Sequence, residues 1–120
     1  MAANENVKFY PRGPKTLKKL LNRDDYENLI SRGKHILLFT ADWCPDCRVI
    51  EPVLPEIEEK YKEFQFVEVD RDQFLDLCQQ LDVFGIPSFI AFEDGEEIGR
   101  FVSKDRKTKE EIERFLDRLP

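Results

Sequence analysis

The chain has 120 residues, enough to bury one core and too few for two. Charged residues make up 37% of it and the formal net charge is −6, with both signs mixed along the sequence, which excludes a basic nucleic-acid footprint and fits an acidic monomer. Three cysteines, two of them in one motif, exclude a disulfide-stapled secreted scaffold; no stretch has the character of a signal peptide or a bilayer span, so the expected compartment is the reducing cytoplasm.

Residues 1–16 are polar, carry Pro11, Gly13 and Pro14, and read as an N-terminal arm ahead of a domain over 17–120. Leu17, Leu20 and Leu21 fit a short strand or a turn of helix equally well. Asn22 and Asp24 are N-cap candidates for a helix over roughly 25–32, with Tyr26, Leu29 and Ile30 as its apolar face and Gly33 as its stop. Residues 35–41 are almost continuously apolar, as a central parallel strand should be. His35 begins that strand, about 20 Å from its other end, and reads as a loop-edge histidine out of reach of the motif that follows.

That motif is Asp42-Trp43-Cys44-Pro45-Asp46-Cys47, where the strand feeds a long helical pattern. With Cys44 as N-cap, Pro45 takes the first helical position, where its missing N–H costs nothing and its φ is already helical. The Cys44 sulfur then faces N–H groups without carbonyl partners, those of Asp46 and Cys47 among them, and they favour thiolate over thiol. Cys44 is thus the expected nucleophile, and Cys47, one turn on and less exposed, the resolving thiol. The helix should run to about Lys62, burying Ile50, Val53, Leu54, Ile57 and Tyr61, with a kink at Pro52 and a second interruption at Pro55.

Residues 64–70 form the next strand, parallel to the first through the helical crossover, so that Asp70 ends at the Cys44 edge. A short helix over 72–81 carries Cys78, expected as a half-buried residue and not a redox partner. Strands over 88–92 and 97–102 flank Asp94-Gly95, a hairpin signal. Pro87 opens the first of them at the same sheet edge as Cys44; it reads either as a cis-proline or as an ordinary trans one. The last helix opens on a capping box, Thr108 to Glu111, and buries Ile112, Phe115 and Leu116. The charge runs 56–60 and 107–111 read as solvated helix faces.

Taken in order, Ala41-Asp42-Trp43-Cys44-Pro45-Asp46-Cys47-Arg48, Pro52, Val67-Glu68-Val69-Asp70, Gly85-Ile86-Pro87-Ser88 and Phe92-Glu93-Asp94-Gly95-Glu96 resemble the thioredoxin family from about Leu20 to the C-terminus. The resemblance implies an α/β thioredoxin fold, a mixed central sheet with helices on both faces. It implies thiol–disulfide exchange by a redox-active Cys44–Cys47 disulfide with no bound cofactor and no metal. Pro87 would be the cis-proline bordering the site, Ile86 the backbone that pairs with an extended substrate, and Trp43, joined by Phe84, the docking surface. Disulfide-containing proteins or small molecules would be the substrates, and a flavin-dependent reductase using a nicotinamide cofactor the electron source. Neither nucleic acid nor membrane is implied.

The chain also departs from the family. Pro45-Asp46 replaces Gly-Pro inside the motif, and Asp42 and Asp46 oppose a thiolate while Arg48 offsets them. Leu38 and Phe66 stand where the family keeps a buried aspartate and its lysine, so proton transfer at Cys47 falls to water or a nearby carboxylate such as Glu68. Ser103 replaces a glycine close to the active site. Two other classes stay open on the residues alone: a zinc module, for which only Cys78 is an accessible third ligand where zinc wants four, and a binding module with little turnover.

Overall fold

The computed structural model describes residues 18–120. The N-terminal arm read over 1–16, and Leu17, lie outside the described residues. Five strands, β1 (Lys18–Lys19), β2 (Lys34–Thr40), β3 (Gln65–Asp70), β4 (Ser88–Glu93) and β5 (Glu96–Phe101), form one sheet in the order β1-β3-β2-β4-β5. β1 and β2 both run parallel to β3, whereas β4 is antiparallel to β2 and to β5. The undecided segment around Leu20 is therefore a two-residue strand, after which Leu20 is buried and Leu21 faces solvent.

Alternation along β2 sends side chains to both faces, which is why it reads as continuously apolar. Leu37 and Phe39 join Val67 and Val69 under α1 (Asp25–Ile30) and α4 (Leu75–Gln80). Ile36 and Leu38 join Phe66 and Phe89 under α2 (Pro45–Ile50), α3 (Leu54–Lys60) and α5 (Lys109–Asp117). Each fully buried large side chain in these layers contributes about 1.5–3 kcal/mol.

The long helix expected from Cys44 to Lys62 is three pieces, α2, a 3-10 turn over Glu51–Val53 and α3. Pro52 and Pro55 remove helix hydrogen bonds and cause both breaks. Asp94 and Gly95 both have positive φ, 51° and 88°, which turns β4 into β5 with the twist of the flanking strands. Asp94 Oδ1 also accepts the Gly33 N–H at 2.7 Å, tying this hairpin to the α1–β2 turn. The Thr108–Glu111 capping box is complete at the start of α5.

Two residues lie deeper than their sequence positions suggest. His35 is inside β2, opposite Gln65 and Phe92, not at a loop edge. Burial holds its imidazole below the usual histidine range, and its Nδ1 has no hydrogen-bond partner among the described residues. Cys78 is fully buried against the α1–α4 core instead of half-buried, and the same desolvation pushes its thiol pKa up.

Candidate active site

The carboxyl end of β2 delivers the chain into a tight turn in which the Cys44 N–H donates to the Ala41 carbonyl at 3.2 Å. Cys44 is the N-cap of α2, with extended backbone, and Pro45 follows at the first helical position. The Cys47 N–H donates to Cys44 Sγ at 3.1 Å, one of the contacts expected from an N-cap sulfur. Cys44 and Cys47 are joined in a disulfide, their Cα atoms 5.3 Å apart. Cys44 is 4% exposed and Cys47 1%.

Ala41 and Ile86 pack around the pair. The Ile86–Pro87 peptide is cis, and the Ile86 carbonyl oxygen lies 4.0 Å from Cys44 Sγ. Ser88 Oγ donates to the Gly85 carbonyl at 2.6 Å and fixes this turn at the entrance to β4. On the other flank Trp43 is 59% exposed, but its orientation is set. Its Nε1 donates to Asp72 Oδ2 at 2.7 Å, and the Arg71 guanidinium lies 5.8 Å from the ring centroid. Asp70, at the end of β3, accepts the Asp72 N–H at 2.9 Å and so shapes the turn that carries this acceptor. Phe84 is 64% exposed on the Pro87 side.

Arg48, expected to offset the two aspartates, points its guanidinium at the Asp42 backbone carbonyl, with Nε at 3.0 Å. The cation that meets Asp46 is Arg106, whose Nε donates to Oδ1 at 3.0 Å. Next to it, Lys107 corrects the reading of 107–111 as a solvated face: it is 1% exposed. Its Nζ donates to the Ser103 carbonyl at 3.3 Å, Ser103 Oγ at 3.1 Å and the Asp105 carbonyl at 3.0 Å, and lies 5.1 Å from the Phe101 ring centroid. Burial pushes the Lys107 ammonium pKa down, against the opposing pull of Asp105, Glu111 and Asp46. Sequence reading missed Arg106 because its contact to Asp46 spans 60 positions.

Below the disulfide, Leu38 and Phe66 are both 2% exposed in one apolar cluster. Glu68 is the register partner of Leu38 on one side and Lys19 on the other, which puts its side chain on their face of the sheet. Desolvation raises its carboxyl pKa, Lys19 works against that, and Glu51, Asp42 and Asp70 add to it. Among the described residues no cluster of His, Cys, Asp and Glu has the makings of a metal site.

A mixed sheet with a disulfide where its central strand enters a helix, faced by a cis-proline turn, defines the thioredoxin fold. The chain matches the sequence model of the family Thioredoxin over residues 17–118 and belongs to that family. It is 41% identical over 81 residues to a thioredoxin H-type of Picea mariana, covering 68% of this chain and 62% of that protein. To the mitochondrial thioredoxin-2 of Schizosaccharomyces pombe it is 35% identical over 85 residues, covering 70% and 64%. It thus spans less than two thirds of the length of either relative. The oxidised form of mitochondrial thioredoxin 3 from Saccharomyces cerevisiae superposes with a TM-score of 0.73 at 27% identity, over 86% of this chain and 96% of that one. No helix among the described residues is long and apolar enough to cross a membrane.

Proposed function

We propose that this chain is a thiol–disulfide oxidoreductase working as a disulfide reductase, with residues 17–120 as the catalytic unit. The observation that carries the reading is the Cys44–Cys47 disulfide at the head of α2, with the Cys47 N–H directed at Cys44 Sγ. In the reduced chain the Cys44 thiolate attacks one sulfur of a substrate disulfide. That bond breaks, the departing sulfur takes a proton, and a mixed disulfide joins Cys44 to the substrate. Cys47 then loses its proton and attacks Cys44 Sγ, so that the substrate leaves fully reduced and the Cys44–Cys47 bond reforms. Two electrons have passed from the chain to the substrate.

Pro45 starts the helix, Asp46 tunes the charge beside the sulfurs, and Trp43, Ile86 and Pro87 dock an extended substrate segment. With Leu38 and Phe66 apolar, the proton from Cys47 passes to water or to Glu68. No bound cofactor is needed, since the redox group is the pair of thiols. A flavin-dependent reductase would restore the dithiol, and a monomer in the cytoplasm is the form and place we assign, although the relatives include mitochondrial proteins.

Equilibration of the Cys44–Cys47 pair against glutathione buffers tests the direction, with Cys47→Ser as the control that cannot close the ring. A potential near the thioredoxin range, about −270 mV, is the expected result. A value near −180 mV or above would replace the reductase with an isomerase or oxidase.

A further inference from the structure

One loop touches both walls of the site. Between β5 and α5 the chain passes so close to Gly85 that a Cβ there would collide with the Ser103 carbonyl and with Lys104. A few residues later the same loop sends Arg106 to Asp46, which lies between the two cysteines. Lys107 holds the loop together from inside through its three acceptors.

We infer that Arg106 is a positioning residue for the dithiol: by pairing with Asp46 it cancels a carboxylate that would otherwise repel the Cys44 thiolate. The inference rests on the oxidoreductase reading of the same site. Its physical content is charge. Asp42 and Asp46 are the carboxylates on the segment carrying the cysteines, and Arg48 is the cation on it. From the other elements come Glu68 on β3, Glu51 after α2, Arg71 and Asp72 around Trp43, and Lys104, Asp105, Arg106, Lys107 and Glu111 from the loop and the start of α5. Arg106 is the member of this set that contacts Asp46, and loop geometry presents it there. A thiolate stabilised in this way also stabilises the reduced dithiol over the disulfide, so the pair sets part of the redox poise.

The test follows the pH dependence of Cys44 alkylation by iodoacetamide in the reduced protein, with the modified cysteine assigned by peptide mass. Arg106→Gln should move the midpoint upward and slow alkylation below it roughly two- to threefold, the modest size expected of a pair whose arginine is 64% exposed. The shift should shrink in high salt and be rescued by Arg106→Lys. In an Asp46→Asn background, Arg106→Gln should have little further effect. An unchanged midpoint, or an equal shift in the Asp46→Asn background, overturns the inference. The alkylation midpoint requires neither substrate nor reductase: if the wild type fails to reduce a protein disulfide while Arg106→Gln still shifts the midpoint, the inference stands and the oxidoreductase reading falls.

Discussion

Beneath the disulfide and beside it, the protein treats charge in opposite ways. Beneath, Leu38 and Phe66 close an apolar layer at positions where the resembling family carries an acid and a base. Beside, the β5–α5 loop gathers a buried lysine and an arginine paired with Asp46. The buried members of the cluster around Leu38 and Phe66 are all uncharged and Glu68, the register partner of Leu38, is only half-buried, whereas backbone carbonyls satisfy Lys107 and Arg106 reaches solvent. One face beside the disulfide is thus built from apolar packing and the other from paired and backbone-satisfied charge.

Charge placed among the apolar side chains on the Leu38 face should have the largest effect. Leu38→Asp buries a carboxylate directly opposite the half-buried Glu68 and on the same sheet face as Phe66, so that two carboxylates share a poorly solvated site. A loss of about 3–5 kcal/mol is expected in urea unfolding at neutral pH. Leu38→Asp with Phe66→Lys should recover part of that loss. A single variant within about 1 kcal/mol of the wild type would mean that the floor already holds enough water or counter-charge to carry an ion, and the contrast would fail.

On the rim, Lys107→Met keeps most of the side-chain volume and removes the ammonium. The Ser103 and Asp105 carbonyls lose their donor, for a cost of about 1–3 kcal/mol, partly offset because a charge no longer has to be desolvated. With the loop loosened against Gly85, KM for a protein disulfide should rise about two- to fivefold while turnover of a small disulfide changes less. Equal effects on both substrates would assign Lys107 to stability alone.

The floor was legible in the sequence and the rim was not, for a physical reason. Cys44 as N-cap, Pro45 at the first helical position, the Asp94-Gly95 hairpin and the Thr108 capping box are local rules, decided within four residues. The helix breaks at Pro52 and Pro55 were legible for the same cause, though not the 3-10 geometry between them. The β2–β3 pairing follows from apolar periodicity and the crossover, and puts Leu38 and Phe66 on one face. By contrast, Lys107 lies in a run of charges whose composition reads as solvent-facing. Only the path of the loop around Phe101 and Ser103 buries it. His35 misled in the same way: a polar residue near a strand end is buried because it is paired on both sides, with Gln65 of β3 and Phe92 of β4.

Glu68 is half-buried directly opposite Leu38, so it offers the smallest and most discriminating test. Burial raises its carboxyl pKa above the ordinary value, so folding favours the protonated form. The stability that Glu68 contributes is therefore fully present below the unfolded carboxylate pKa and is lost as pH rises through the folded one. Glu68→Gln, which is neutral throughout, should accordingly be more stable than the wild type at pH 7, by a Tm gain of about 1–3 °C given solvent screening of a half-exposed group. That gain should vanish as pH falls to about 4. If Glu68 also takes the Cys47 proton, the same variant should slow release from the mixed disulfide and flatten its pH dependence, while Cys44 alkylation is unaffected. A variant that gains stability yet keeps the wild-type release profile would leave water as the proton acceptor and place Glu68 with the structural margin of the sheet.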